Sequence, residues 1–146
     1  ALELACGTGE AAVWLAGRGL TVLACDVSPV AVARAASLAA GAGVADRCRF
    51  MVWDLDDGLP DGPPADLVLC HRFRDARLDA AAVDRLAPGG MLVLVALSEV
   101  DAGPGRFREP PGGLTAAFAT VPGLDLVNAG EADGEAWLLA RRVRLG

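Results

Sequence analysis

Residues 1–18 read ALELACGTGEAAVWLAGR, and this stretch decides the predicted fold. Ala1–Ala5 is short and mostly apolar, as the strands of parallel sheets are. Gly7–Thr8–Gly9, the glycine turn, follows it; glycine accepts backbone angles that other residues avoid and lets a ligand approach the main chain. Glu10–Arg18 contains good helix formers, so we predict a strand, a tight turn and a helix. The unpaired N–H groups at such a helix start point at whatever lies above the turn, an arrangement typical of nucleotide sites.

The rest of the chain continues the alternation of apolar runs and helical segments. The further predicted strands are Thr21–Asp26, Arg49–Trp53, Ala65–Cys70 and Met91–Leu97. The further predicted helices are Val30–Ala40, which Ser28–Pro29 opens, then Ala76–Leu86 and Leu114–Ala119. A polar turn at Gly130–Glu135 separates Leu124–Val127 from Ala136–Ala140, which predicts an antiparallel hairpin. We therefore predict the α/β class, with a doubly wound, Rossmann-like, mostly parallel seven-stranded sheet that ends in this hairpin.

Length and composition narrow the possible function. A chain of 146 residues predicts a single domain, residues 1–146, and 53% apolar content is ample for one core. The net charge of −6 argues against a nucleic-acid partner, because such sites need a basic surface. No apolar run reaches the roughly 20 residues of a membrane span, and no signal peptide is visible, so we predict no membrane partner. The sequence leaves the oligomeric state open.

The four cysteines are widely spaced and form no pair with metal-ligand spacing. Cys6, Cys25 and Cys70 end predicted strands, where small apolar side chains are the simpler interpretation than a metal cluster. We therefore predict no metal. A disulfide framework does not suit a chain with this much core, so we expect a reducing, cytoplasmic location.

Acidic residues follow the first strands at the edge where ligands bind in such sheets. Asp26 ends the second strand, and its two carboxylate oxygens can accept hydrogen bonds from two neighbouring ribose hydroxyls. Asp54 follows the third strand and can accept from an amino group such as that of adenine. Glu3 lies inside the first strand, where an unpaired acid is costly. We expect Glu3 to meet a cationic group of the ligand or to order the glycine turn.

Four motifs in this order resemble the class I S-adenosylmethionine-dependent methyltransferases. They are ELACGTG at Glu3–Gly9, CDVSP at Cys25–Pro29, WDL at Trp53–Leu55 and LAPGG at Leu86–Gly90. The resemblance covers nearly the whole chain, because the terminal hairpin fits the family's sixth and seventh strands. More narrowly, the segment from Gly105 to Leu114 is similar to the tellurite-resistance and thiopurine branch.

This resemblance implies S-adenosylmethionine as the cofactor and methyl transfer to a small-molecule acceptor. It places Gly7 and Gly9 under the methionine part of the cofactor, and Glu3 at its ammonium group. Asp26 would bind the ribose, and Asp54 the adenine. The other cofactor-binding residues that it implies are Ala5, Thr8, Val27, Leu55 and Cys70. The family often has glycine at the position of Ala5, and we expect the turn to survive the added methyl group.

His71, the only histidine, follows the fourth strand, where the family often faces its substrate. Imidazole has an ordinary pKa of about 6.5, so His71 is the candidate catalytic base, with packing or hydrogen bonding as the alternative role. Methyl transfer to a soft nucleophile can instead need only positioning.

The arginines of the predicted loops and two of the tryptophans are interpreted as structural residues rather than site residues. Arg72, Arg74, Arg106 and Arg108 are predicted to be solvated, with bidentate recognition of an anionic substrate group as the alternative. Trp14 and Trp137 are predicted to lie in the core, and Trp53 can border the adenine.

Two other functions remain open. The first is a nicotinamide dinucleotide-binding domain, because Gly7-x-Gly9-x-x-Ala12 followed by Asp26 satisfies the loose fingerprint. The second is an N-terminally truncated or inactive methyltransferase-like domain that binds the cofactor weakly or acts as a structural partner. Its motivation is that the chain starts inside its first strand, whereas related folds use preceding helices to enclose the site.

Overall fold

The computed structural model describes residues 1–144, and the chain divides into two compact units, Ala1–Gly62 and Pro63–Gly146. Among the described residues, no helix has both the length and the apolar character that a membrane crossing requires.

The first unit is a three-stranded parallel sheet with two helices. Its elements are β1 (Leu2–Leu4), α1 (Glu10–Gly17), β2 (Val22–Asp26), α2 (Pro29–Gly41) and β3 (Cys48–Val52). β2 pairs in parallel with both neighbours, with Leu2 opposite Leu23 and Val22 opposite Cys48. All three residues of β1 are buried, which explains the short apolar run at the start of the chain.

Local sequence explains where both helices of this unit begin. The Ser28 hydroxyl accepts a hydrogen bond from the Ala31 N–H, and Pro29 occupies the first helical position of α2. α1 begins after Gly9, whose φ is 89°. A Cβ on Gly9 would lie 2.6 Å from the Ala35 Cβ. Only glycine therefore allows α2 to pack this closely against the start of α1.

The second unit contains a four-stranded mixed sheet. Its elements are β4 (Ala65–His71), α3 (Asp79–Arg85), β5 (Leu86–Leu97), α4 (Gly113–Phe118), β6 (Leu124–Ala132) and β7 (Glu135–Arg142). β4 and β5 are parallel, whereas β7 is antiparallel to both β5 and β6. Its core includes Val68, Leu92, Phe118 and Leu138, all of which are fully buried.

The strands run in the order β3-β2-β1 in the first unit and β4-β5-β7-β6 in the second, and this confirms the predicted α/β class. The pairs β1–β2, β2–β3 and β4–β5 are parallel, and the C-terminal pair is antiparallel, as predicted for a mostly parallel seven-stranded sheet.

Several predicted boundaries differ from the structure. The predicted helix Ala76–Leu86 is a 3₁₀ turn, Ala76–Leu78, followed by α3, and β5 begins at Leu86 rather than Met91. The hairpin turn is only Asp133–Gly134, because both residues take positive φ, 53° and 79°, as two-residue hairpin turns require. β6 therefore extends beyond the predicted apolar strand Leu124–Val127, to Ala132.

The predicted core positions of two tryptophans are wrong. Trp14 is 59% exposed, because α1 buries only the stripe formed by Ala12, Leu15 and Ala16. Trp137 is also exposed on β7, where its indole N–H donates to the Asn128 side-chain oxygen.

Candidate functional site

The carboxylate of Asp26 fastens the glycine turn to the start of α2. Its Oδ2 accepts a hydrogen bond from the Gly7 N–H, and its Oδ1 accepts one from the Ser28 N–H, both at 2.9 Å. Asp26 is the last residue of β2, so the strand aims its carboxylate at the turn. Each carboxylate oxygen keeps a second lone pair, and the side chain is only partly buried. It can therefore accept further hydrogen bonds from a ligand.

The backbone of the turn is left-handed at three positions. Ala5, Gly7 and Gly9 have φ values of 53°, 56° and 89°. The turn forms despite the methyl group of Ala5, at a cost of about 1–2 kcal/mol that a glycine would not incur. The Thr8 hydroxyl donates to Glu10 at the start of α1, and this hydrogen bond lowers the pKa of Glu10.

The two glycines of the turn serve different purposes. A Cβ on Gly9 would collide with α2, whereas a Cβ on Gly7 would meet no described atom within 4 Å. Gly9 is therefore required by packing. The backbone at Gly7 faces open space, so a ligand can lie directly against it.

Glu3 is a buried acid without a full set of partners. It is 3% exposed, and its Oε1 has no hydrogen-bond partner among residues 1–144. Burial raises its pKa to about 7; a hydrogen bond from the Ala12 N–H opposes this rise, and the charges of Glu10 and Asp26 add to it. Leaving a buried carboxylate oxygen unpaired costs stability, so this position is suited to a cationic ligand group.

Asp54 and its neighbours lie at the carboxyl ends of β2 and β3. Asp54 is exposed, and its Oδ1 accepts from the Asp56 N–H at the start of a 3₁₀ turn. Val27 is exposed, and Leu55 is partly exposed. The backbone N–H of Trp53 donates to the Asp26 carbonyl, which joins the ends of the two strands. The first unit thus brings together the predicted site residues that follow its three parallel strands.

Two predicted site residues, Cys70 and His71, belong to the second unit. Cys70 is buried, and its thiol donates to the Phe73 carbonyl at 3.1 Å. His71 ends β4 opposite Val95 of β5, and its side chain is exposed. The imidazole of His71 forms no hydrogen bond to another residue within 1–144, so the structure gives no support to a hydrogen-bonding role.

Three of the four predicted solvated arginines are held by protein groups. Arg74, only 12% exposed, pairs with both carboxylate oxygens of Asp79 and with Glu109, so its predicted solvation is wrong. Arg108 donates to the carbonyls of Ser98 and Gly134, and Arg72 pairs with Glu135. The sequence missed these contacts because most of the partners are distant in the chain.

The cysteines are free, and two of them are buried thiols of weak acidity. Burial raises the pKa of Cys25 to about 11 and that of Cys6 to about 12. Within residues 1–144, no three His, Cys, Asp or Glu side chains form a group that could hold a metal ion.

Comparison with known proteins identifies relatives by sequence. The family described as "Methyltransferase domain" matches residues 1–90. The tRNA 5-carboxymethoxyuridine methyltransferase of Escherichia coli (strain K12) is 32% identical over 100 residues, covering 64% of this chain. The match spans only 38% of the length of the E. coli enzyme.

Solved structures share the fold. The [4+2]-cyclase SpnF superposes with a TM-score of 0.77 at 19% identity, covering 99% of this chain and 74% of the cyclase. TehB from Haemophilus influenzae gives 0.76 at 15% identity, covering 97% and 57%. At these identities the likeness concerns the fold alone, and the tellurite-resistance branch is not confirmed. Because the family match covers more than half of the chain and agrees with the four motifs, the chain belongs to the methyltransferase domain family, the class I methyltransferases whose cofactor is S-adenosylmethionine.

Proposed function

We propose that this chain binds S-adenosylmethionine at the glycine turn of its first unit and transfers the methyl group to a small-molecule nucleophile. The observation that carries the proposal is Glu3, a buried acid beside the turn whose Oε1 has no partner among the described residues. The amino-acid part of S-adenosylmethionine carries an ammonium group, which would supply the missing charge and hydrogen bonds.

The remaining residues of the first unit fit the other parts of this cofactor. The open backbone face at Gly7 accommodates a chain lying against the turn. Asp26 has lone pairs for ribose hydroxyls, and the exposed Asp54 can accept from an adenine amino group. When bound, S-adenosylmethionine supplies an activated methyl group on a sulfonium sulfur. The chain's own residues hold and orient it.

The charge around the turn favours this cofactor over a nicotinamide dinucleotide. Glu3, Glu10 and Asp26 all surround the turn, and no arginine forms an ion pair with them in the described part of the first unit. A pyrophosphate would bring negative charge against these carboxylates. A ligand with ammonium and sulfonium charges is attracted by them instead.

A small-molecule acceptor is the proposed substrate class, since the chain carries a net charge of −6. The E. coli relative is named for action on tRNA, so tRNA is the competing acceptor. His71 is the proposed base: it is exposed at the end of β4, and no described residue occupies its ring nitrogens by hydrogen bonding. It can therefore accept a proton from the acceptor's nucleophile.

Calorimetric titration tests the cofactor. We expect S-adenosylmethionine and S-adenosylhomocysteine to bind, NAD not to bind, and Glu3→Gln to weaken binding at least tenfold, since a hydrogen bond to a charged group contributes about 1.5–3 kcal/mol. Asp46→Asn is the matched control, because it removes an exposed acid at the opposite end of β3. Binding of NAD alone, or equal affinity in Glu3→Gln and wild type, contradicts the proposal.

A second experiment tests the reaction and the acceptor. The chain is incubated with methyl-labelled S-adenosylmethionine and either a small-metabolite extract or total tRNA, and the label is followed in each pool. Label in small molecules, reduced in His71→Ala, is expected. Label in tRNA alone would assign the other acceptor, and a chain that binds the cofactor without transferring label would be an inactive domain.

A further inference from the structure

The loop after β5, residues 98–112, is hydrogen-bonded at its base and exposed at its tip. The Ser98 N–H donates to the Gly134 carbonyl, and the Glu109 N–H donates to the Leu97 carbonyl, both at 2.8 Å. Arg108 adds two bonds to carbonyls at the same base. The tip, residues 105–107, is exposed. The tip therefore projects from a hydrogen-bonded base at the carboxyl end of β5.

This loop lies at the same edge of the second unit as His71. β4 and β5 are parallel, and His71 at the end of β4 is opposite Val95, two residues before β5 ends. Ligands of open α/β sheets bind beyond the carboxyl ends of such strands. The tip is consequently placed on the side where an acceptor for His71 would enter.

Arg106 is the arginine of this edge whose guanidinium forms no ion pair or hydrogen bond with the described residues. Arg72, Arg74 and Arg108 are each held by carboxylates or carbonyls of the second unit. Arg106 has no such partner among residues 1–144, and its guanidinium lies 5.3 Å from the centroid of the Phe107 ring.

Phe107 completes a flat, cationic surface. It is 75% exposed, more than any other large apolar side chain of the described residues. A guanidinium forks onto carboxylate or phosphate oxygens, and an aromatic ring stacks on planar groups. The pair presents both surfaces together, in a chain whose net charge of −6 would otherwise repel anions.

We propose that Arg106 and Phe107 form the acceptor-recognition pair of this protein, selecting a planar molecule that carries an oxyanion group. This inference rests on the proposed methyltransferase function. Arg106 binds the oxyanion and Phe107 stacks on the planar part, which orients the acceptor's nucleophile toward His71.

The test measures binding of small probes by ligand-observed NMR, with and without S-adenosylhomocysteine. The probes are benzoate and phenyl phosphate, which are planar anions, benzamide, which is planar and neutral, and cyclohexanecarboxylate, which is anionic but not planar. We expect the planar anions to bind best. The ratio of benzoate to phenyl phosphate affinity identifies the preferred oxyanion.

Two variants and one control separate the roles. Arg106→Gln is expected to weaken planar anions about tenfold and leave benzamide unchanged, and Phe107→Leu to weaken both benzoate and benzamide. Arg141→Gln, an exposed arginine at the other end of β7, removes the same charge and should have no effect. Equal binding by Arg106→Gln and Arg141→Gln, or no preference for planar anions in the wild type, overturns the inference. If the wild type does not bind S-adenosylhomocysteine, the proposed function fails instead. The two failures can be told apart, because binding of the probes is also measured without S-adenosylhomocysteine.

Discussion

Replacing Glu3 with glutamine removes a charge that the fold accommodates poorly. The pKa of Glu3 is about 7 in the folded chain, against an ordinary value of 4.5. Each unit of difference is about 1.4 kcal/mol, so ionisation of Glu3 costs the folded state about 3 kcal/mol. Glutamine has nearly the same shape and never ionises.

The sign of the effect follows from proton binding. Between pH 4.5 and 7, folded Glu3 holds a proton that the unfolded chain has released. The stability that comes from the neutral form is therefore complete below pH 4.5, and it is lost as the pH rises through about 7. Relative to wild type, we expect Glu3→Gln to gain about 3 kcal/mol between pH 4 and pH 9.

Urea unfolding at several pH values, followed by tryptophan fluorescence, measures this difference. Glu10→Gln is a contrasting variant, because the pKa of Glu10 is lowered in the folded chain: its loss of stability relative to wild type should develop as the pH rises toward 4.5 and should not grow further above that pH. A difference between Glu3→Gln and wild type that stays constant from pH 4 to pH 9 would refute the reasoning.

The same carboxyl group links cofactor binding to protons. At pH 7 about half of the Glu3 carboxyls are protonated, because the pH equals the pKa. A ligand ammonium group placed at Oε1 favours the ionised form. Titration in two buffers of different ionisation enthalpy should show release of about half a proton with wild type and none through this group with Glu3→Gln.

Four further substitutions test the turn and the ion-paired cluster of Arg74. Gly9→Ala should destabilise the chain by more than 2 kcal/mol in urea unfolding, through collision with Ala35. Gly7→Ala meets no neighbouring atom and should cost only about 1 kcal/mol, through its positive φ, while weakening cofactor binding; equal loss of stability in the two variants would contradict the difference. Ala5→Gly should stabilise the chain by up to about 1 kcal/mol, because the relief of backbone strain is partly offset by the greater flexibility of glycine in the unfolded chain; a loss of about 0.5–1 kcal/mol would show that the φ of Ala5 is not strained. Arg74→Ala should cost about 3–5 kcal/mol, because its two carboxylate partners lose their counter-ion; a loss below 1 kcal/mol would show that the cluster contributes little.

Features set by neighbouring residues could be predicted from the sequence. The strand, turn and helix of residues 1–18 depend on glycine at the turn and on an apolar run before it, and the structure has them. Asp26 ends one strand and Asp54 follows another, so the strand pattern predicts that both carboxylates lie at the carboxyl edge of the sheet. The Ser28–Pro29 start of α2 is equally local.

Features that depend on residues distant in the chain could not be predicted from the sequence. Arg74 resembles a solvated loop residue until Glu109, thirty-five positions later, is folded onto it. Trp14 is apolar and aromatic, but the side of α1 that carries it has no covering element in the first unit as described. Neither outcome is encoded in the spacing of nearby residues.

The glycine motif shows why a site is better tested at Glu3 than at its most recognisable residues. Gly9 is needed for packing, and Asp26 orders the turn through the N–H groups of Gly7 and Ser28. Replacing either one changes the turn and the ligand contacts together, so lost binding would not separate folding from recognition. Glu3 accepts one backbone hydrogen bond and leaves Oε1 unpaired, and glutamine can keep the first while removing the charge. If Glu3→Gln binds the cofactor more weakly but is more stable than wild type at high pH, the lost binding can therefore be assigned to the missing contact with the ligand's cation.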